Sequence, residues 1–522
     1  MSFTNRGPNG PLLVDQLRFM ASEHPDDIGY VNFTSDAEAA LSFGEWEALS
    51  NQIARWLIEN GVTKGARVAV YLRSEHCFEW ISSYAGVHKA GAVMVPVNTR
   101  LSLDETRTIL SHAEPAAIIT DSELEANTAV IASELDIAAV LCVGACNDSH
   151  HDWSDLESFD TSEIQIPLGY DDIADIMYTS GTTGLPKGVL VRHRNIAMIA
   201  NNAPRWTGNG WLHGAPLFTF AGMSFVYNPM KMGLAGWYLP KFNVDHWLDI
   251  AVERAPMMCM LVPAMAELLV ASPRFEDADL SSFLAVSIGS APLAPATLSI
   301  MQAKMPMASV TNSYGLTEAG PAYIVMPKDE AAKRIGSVGK PMPPMEVKVL
   351  NQETDEPCSP NETGELLVRL DGKGREYYKN EEATSSAWTP DGWLRTGDLA
   401  HLDDDGFVYI NGRIKDMIIR GGNNIYATDV EAVLLENKAV QEAAVVGVPH
   451  KVLGEDVGAF IVVVPGATID SEELSGFCAE RLADYKRPRH LYFVTELPRN
   501  ATGKVMKHKL REQLSNGGAS PS

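Results

Sequence analysis

The sequence predicts an α/β protein built around parallel sheet, and three observations lead there. Between residues 41 and 120, short wholly apolar runs alternate with helix-periodic stretches. Through the middle of the chain, apolar runs repeatedly feed polar, Gly-containing loops. From about Gly336 the runs become short and alternating, and a smaller unit follows "GRIKD", Gly412–Asp416. A chain of 522 residues is too long for one core, so about two to four domains are expected.

The elements follow in order. "RVAVYL" (Arg67–Leu72) reads as a strand, "EHCFEWISSYAGVHKAG" as a helix and "AVMVPV" (Ala92–Val97) as a second strand. "SLDE" places Ser102 to cap the next helix, with Glu105 reaching back in a capping box. "AAIITD" (Ala116–Asp121) is the third strand. Fully apolar strands joined by helices imply a parallel sheet covered on both faces. "MMCMLVP", "LAVSIGSAPL" and "ASVTNSYGLTEAG" each run into a polar loop, the place where open α/β sheets put ligands. "EVKVL", "GELLVRL" and "GFVYINGR" suggest an antiparallel or barrel-like section. "DDDG" (Asp403–Gly406) lacks the spacing of a calcium loop and reads as a hairpin turn. A boundary falls near Lys415. The unit beyond it reads strand, Gly-rich turn, helix "ATDVEAVLLEN", two strands, helix "SEELSGFCAERL" and a basic tail. No repeats are evident, and the closing "SNGGASPS" has a disordered composition.

Composition narrows the function. Apolar residues make up 45% and charged residues 21%, enough apolar material for large cores. A net charge of -25 argues against nonspecific binding to nucleic acid or to anionic membrane. An anionic ligand would therefore need local lysines, backbone N–H groups or metal ions. Cys77, Cys142, Cys146, Cys259, Cys358 and Cys478 complete no zinc pattern and are expected as reduced thiols of a cytoplasmic protein. The first ten residues show no signal-peptide core. The longest apolar run is broken by Pro263 and Glu267, so no membrane span is expected.

"YTSGTTGLPKGV", Tyr178–Val189, is the stretch richest in chemistry. It combines Thr179, Ser180, Thr182 and Thr183 with Gly181, Gly184 and Lys187. It is not a Walker A loop, because the lysine is displaced and no Ser or Thr follows it. Alone it reads equally as a surface loop or as a phosphate cradle of backbone N–H groups and hydroxyls.

Further motifs stand in a fixed order behind it: "GSAPL" (Gly289–Leu293), "NSYGLTEAG" (Asn312–Gly320), "GELLV" (Gly364–Val368), "WLRTGD" (Trp393–Asp398), "GRIKDMIIRGGNNI" (Gly412–Ile425) and "PRNATGK" (Pro498–Lys504). Together they make the chain resemble the ANL superfamily of adenylate-forming enzymes, in its acyl-CoA synthetase branch, over almost its whole length. The resemblance implies a large N-terminal domain, 1–414, of two doubly wound sheets plus a small β-barrel section. A small mobile α+β C-terminal domain, 415–522, would follow. It implies that MgATP activates a carboxylic acid to acyl-AMP, and that coenzyme A then takes the acyl group. A homodimer is left open.

The implied roles fall on individual residues. Thr179, Ser180, Gly181, Thr182, Thr183, Gly184 and Lys187 would follow the ATP phosphates. Gly289, Ser290 and Ala291 would form the adenine-side wall, with Asn312, Tyr314 and Gly315 beside it. Thr317 would touch the α-phosphate and Glu318 would ligate Mg2+, which favours hard oxygen ligands. Asp398 would hold the ribose, and Arg413 would be a second ribose or phosphate contact. Lys504 would bridge the acid carboxylate and the α-phosphate, a cation placed where charge builds. Lys415 would be the hinge, bringing Gly421, Gly422 and Asn423 to the coenzyme A side. "YKRP" (Tyr485–Pro488) reads either as a contact for the coenzyme A phosphates or as a solvated patch.

The acyl pocket would be walled by Phe218, Thr219, Phe220, Met223, Phe225, Val262, Met265, Ile288 and Gly289. Thr219 departs from the family's frequent His or aromatic residue, and Ala427 and Asp429 replace a frequent Pro and Glu. No Asp stands where amino-acid-activating relatives hold an amine. A hydrophobic acid is expected: a medium or long fatty acid, an aryl-alkanoic acid or a steroid side-chain acid. Two other readings are an enzyme that loads a carrier protein and a degenerate nucleotide-binding protein. The latter predicts loss of Lys504, Glu318 or Asp398, and all three are present.

Overall fold

The computed structural model describes residues 12–35, 37–147, 149–179, 186–196, 205–291, 293–321, 324–331, 333–343, 345–370, 375–499 and 504–515. The N-terminal decapeptide, the closing "SNGGASPS" from Asn516 onward and Ser180, Gly181, Thr182, Thr183 and Gly184 lie outside them.

Two parallel-type sheets form the large body. One orders its strands as Ser309–Ser313, Ala285–Gly289, Met258–Leu261, Gly210–His213, Ala235–Tyr238, Ile28–Phe33 and Glu38–Ser42. The other runs Glu376–Tyr377, Lys187–Arg192, Ile173–Thr179, Val93–Pro96, Arg67–Tyr71, Ala117–Asp121, Ala139–Val143 and His151–Asp152. Their central strands read as unbroken apolar runs because both faces are covered. Val68, Ala69 and Val70 are each 0% exposed. Burying a valine in this way contributes about 1.5–3 kcal/mol. The capping box forms as expected: Ser102 Oγ accepts from the Glu105 N–H at 3.3 Å, and Glu105 Oε2 accepts from the Ser102 N–H at 2.8 Å.

The second sheet is mixed rather than wholly parallel. Ile173–Thr179 and Lys187–Arg192 pair antiparallel, with Thr179 opposite Lys187. The intervening Gly/Thr segment is too short for the crossover a parallel pair needs.

The section expected to be barrel-like is a six-stranded antiparallel sheet, ordered Ile324–Val325, Ser337–Pro341, Val408–Arg413, Leu394–Leu402, Gly364–Leu370 and Met345–Leu350. "DDDG" makes its predicted hairpin turn: the Asp403 N–H donates to the Phe407 carbonyl at 3.0 Å, and Gly406 takes a positive φ of 80°. The chain leaves this sheet through the single turn Ile414–Asp416. It then builds a small sheet from Ile418–Arg420, Asn423–Ile425, Val440–His450, Gly454–Val463 and His490–Phe493, packed with the helices Ala427–Leu435, Ser471–Ala479 and Lys507–Ser515.

One expectation is corrected. Cys142 and Cys146 are joined as a disulfide rather than separate thiols, because the turn after strand Ala139–Val143 brings their Cα atoms to 6.2 Å. Cys77, Cys259, Cys358 and Cys478 are free. Among the described residues no helix is long and apolar enough to cross a membrane.

Candidate active site

The polar loops expected to bind nucleotide meet at the C-terminal ends of parallel strands. Gly289 closes Ala285–Gly289 opposite Ser313, which closes its neighbour. A Cβ on Gly289 would stand 2.7 Å from the Ser313 carbonyl, so the close approach of the two strand ends requires glycine. Ser290 follows at φ 75°, turning the chain sharply out of the sheet, and Ala291 continues it. Asn312 lies one residue before Ser313. The loop beyond folds back through the pairing of Gly315–Leu316 with Gly320–Pro321.

Asp398 organises the next contacts. It is buried on strand Leu394–Leu402. Its Oδ2 accepts from the Tyr314 hydroxyl at 2.6 Å, and its Oδ1 pairs with Arg413 Nε at 2.8 Å. Burial, followed by the Asp398 carboxylate, pushes the Tyr314 hydroxyl well above its ordinary pKa. Asp398 thus joins Arg413, on the next strand of its sheet, and Tyr314, 84 positions away along the chain, into one hydrogen-bonded unit.

Lys504 comes to this unit from the small domain. Partial burial lowers its ammonium to about 8; Arg413 and Lys415 add to the lowering, while Asp398 and Asp416 oppose it. The lysine therefore stands in the field of Arg413 and Asp398. Lys415 is exposed in the turn Ile414–Asp416. Its carbonyl accepts from Arg511 Nη2 at 3.3 Å, and Asp416 pairs with the same nitrogen at 2.8 Å. Gly421, Gly422 and Asn423 lie exposed in the hairpin turn, with the two glycines at φ 56° and 83°. Lys486 of "YKRP" is paired with Asp429 at 2.8 Å, so its charge is already matched.

Sequence reasoning missed two residues that tie the phosphate side together. Tyr377 donates from its hydroxyl to Glu318 Oε1 at 3.2 Å, and Lys187 Nζ lies 5.0 Å from the Tyr377 ring centroid. Arg375, 4% exposed, donates from Nη1 to the Thr317 carbonyl, and its guanidinium stacks 4.7 Å from the Phe220 centroid. The signal for both lay in "REYYKN", where an arginine and two tyrosines interrupt an otherwise polar turn.

The expected acid pocket divides. Phe220 and Met223 line a cavity of about 20 Å3 between helix Phe220–Lys231 and the strands Ile173–Thr179 and Lys187–Arg192. Phe218 is buried, and Val262 packs against a small cluster of Ala215, Phe225 and Met260. Met265 packs on the apolar core beside the sheet that carries Ala285–Gly289, and Ile288, 0% exposed, is part of that core rather than a pocket wall. The Thr219 hydroxyl is engaged as a helix cap: it accepts from the Gly222 N–H at 3.1 Å and donates to the Pro216 carbonyl at 2.7 Å. The same cavity also has polar lining that sequence reasoning missed, namely Tyr84, Asp175, Ser224, Tyr227 and Asn228.

This arrangement has known counterparts. Residues 17–378 match the AMP-binding enzyme family, and residues 429–504 match the AMP-binding enzyme C-terminal domain. The chain belongs to this family and is an AMP-forming acyl-CoA ligase, acting on a carboxylic acid, ATP and coenzyme A. It is 32% identical to a long-chain-fatty-acid–CoA ligase of Mycobacterium tuberculosis, over 96% of this chain and 98% of that one. It is 31% identical to a 2-succinylbenzoate–CoA ligase of a Geobacillus species, over 92% and 94%. The crystal structure of ATP-bound MatB from Rhodopseudomonas palustris superposes with a TM-score of 0.85 at 31% identity, covering 97% of this chain and all of that one.

Proposed function

We propose that the protein activates a hydrophobic carboxylic acid in the cytoplasm, with Lys504 as the residue that stabilises the adenylation transition state. The observation that carries this reading is the entry of Lys504 into the field of Asp398 and Arg413. The acid carboxylate oxygen attacks the α-phosphorus and the bond to pyrophosphate breaks. The nucleophile is already ionised, so no general base is needed. The work left to the protein is positioning and charge stabilisation. A lysine held at this point supplies a fixed cation where charge develops. In the second step the coenzyme A sulfur attacks the acyl carbonyl and AMP leaves.

Asp398 and Arg413 would hold the ribose. Thr317 and Thr179 would contact the phosphates together with Lys187 and with Ser180, Gly181, Thr182, Thr183 and Gly184. Among the described residues no cluster of three or more His, Cys, Asp or Glu side chains could cage a metal. A lone carboxylate at Glu318, steadied by Tyr377, fits a Mg2+ that takes most of its ligands from triphosphate and water. When bound, that ion would neutralise phosphate charge.

The two domains, 1–414 and 415–522, would pivot at Lys415. The pivot would withdraw Lys504 and bring in Gly421, Gly422 and Asn423, which are exposed in the present orientation. Two measurements test this. A panel of fatty, aryl-alkanoic and steroid side-chain acids with MgATP, read by mass for AMP and acyl-CoA, should give products with coenzyme A as acceptor. AMP formation only with a carrier protein would sink the coenzyme A assignment. Lys504→Ala should slow acyl-AMP formation by about a hundredfold or more while largely sparing thioester formation from supplied acyl-AMP. Equal loss in both half-reactions would refute the pivot.

A further inference from the structure

The cavity beside Phe220 is lined by apolar residues, among them Met177, Val191 and Met223, and by polar ones, among them Asp175, Tyr84 and Tyr227. Phe220 links it to the phosphate side: it lines the cavity, and its ring stacks on the arginine that donates to Thr317. Behind it stands Asp175, an acidic residue in the middle of the apolar strand "IADIMYT" and 1% exposed. Its Oδ2 accepts from the Tyr84 hydroxyl at 3.1 Å. Its Oδ1 lies 3.1 Å from His88 Nε2, which also reaches the Ala174 carbonyl at 3.2 Å. Because a carbonyl only accepts, that ring nitrogen carries the proton and donates to both. Among the described residues, His88 is the single ionic partner of Asp175.

These contacts fasten helix Cys77–Lys89 to strand Ile173–Thr179, a sufficient structural reason for Asp175, Tyr84 and His88. They do not explain the opposite wall. Tyr227, 1% exposed, stacks on Tyr84 with ring centroids 4.7 Å apart, and its hydroxyl meets the Tyr84 hydroxyl in a contact poorer than an ordinary hydrogen bond. A buried hydroxyl held so loosely favours a closer partner. A carboxylate has about four acceptor positions, so Asp175 retains capacity beyond its two donors. The cavity that these groups help to line, about 20 Å3, is enough for one water-sized group.

We propose that this cavity is the remote end of the acid pocket and that it selects acids carrying a hydroxyl group far from the carboxylate. The hydroxyl donates to Asp175 and accepts from Tyr227, in the space otherwise open to a water. Phe220 and the adaptable Met223 form its apolar approach. A methyl group in the same place leaves both polar walls unmatched, and a second carboxylate meets the Asp175 charge head-on. Sites built to hydrogen-bond a substrate hydroxyl reject the analogue lacking it far more strongly than apolar pockets reject a methylene. The inference rests on the acid-activating reading of this pocket.

The test compares kcat/KM for AMP formation by the full chain with MgATP and coenzyme A. The probes are decanoate against its terminal-hydroxy analogue, phenylpropanoate against its para-hydroxy analogue, and decanedioate. The hydroxy acid should be preferred about tenfold or more in at least one pair, with decanedioate below decanoate. Tyr227→Phe, which removes only the hydroxyl, should pull that ratio toward one, as should the isosteric Asp175→Asn. A purely structural role would lower turnover of both acids alike and leave the ratio where it was. Ratios within twofold for both pairs, decanedioate as the best substrate, or a preference that survives in the folded Tyr227→Phe enzyme would each overturn the inference alone. AMP from none of the acids would overturn the acid-pocket reading and the inference with it.

Discussion

Asp398 ties three elements together at the level of one side chain. Both of its oxygens are engaged, by Tyr314 and by Arg413, and Lys504 approaches the same group. Ribose hydroxyls would have to join or displace these partners, so the carboxylate is oriented before nucleotide arrives. The lowered pKa of Lys504 has a kinetic consequence. A lysine is cationic below its pKa, and burial brings that limit from 10.5 down to about 8. Because kcat/KM reports the free enzyme, kcat/KM for ATP in acyl-AMP formation should be level below about pH 8 and fall above it. The residual activity of Lys504→Ala should lack that falling limb. A profile in Lys504→Ala that still breaks at the same pH would assign the titration to another group.

Among the elements, helix Phe220–Lys231 would shape the proposed acid side. Its start is fixed by Thr219 as cap and by Gly222 in the first turn. A Cβ on Gly222 would lie 2.1 Å from the Pro216 carbonyl oxygen and 2.8 Å from Leu217 Cα, both backbone atoms that cannot swing aside. Gly222→Ala should therefore shift the helix start, destabilise the protein by about 1–3 kcal/mol in denaturant unfolding, and raise KM for the acid. Unchanged stability and unchanged KM would show that the turn relaxes freely. Thr219 illustrates what a linear reading misses. Its segment was singled out from the sequence, but the use of its hydroxyl on the helix terminus depends on how residues 216–222 fold back.

At the scale of the molecule, the proposed pivot depends on how the small domain docks. Glu267, on helix Pro263–Ala271 of the large domain, is exposed. Partial desolvation raises its carboxyl pKa, the Glu442 carboxylate of the small domain raises it further, and Arg499 opposes. Two like charges thus approach each other across the docked domains, with Glu442 also paired to Arg499 at 2.6 Å. Glu267→Gln removes that repulsion and should favour the orientation that holds Lys504 inward. Acyl-AMP formation should rise relative to thioester formation, by about twofold given solvent screening. A shift toward thioester formation would mean that Glu267 stabilises the docked state instead.

The sequence by itself determined the order of the sheets' strands along the chain, the Ser102 capping box, the turn at Asp403–Gly406, the helix at Ala427–Leu435 and the family. Each is a matter of local periodicity, turn chemistry or contiguous motif, which the chain carries in neighbouring residues. Only the tertiary structure decided that Ile288 belongs to the core and that Ile173–Thr179 turns back antiparallel on Lys187–Arg192. It alone brought Arg375 and Tyr377 beside Thr317 and Glu318. It alone set Asp175 and Tyr227 across one small cavity. That hairpin apart, those relations join residues far separated along the chain, as Arg375 is from Thr317 by 58 positions and Tyr377 from Glu318 by 59. They arise because burial and hydrogen-bond matching are satisfied by the whole fold at once, and no stretch of sequence records which distant partner satisfies them.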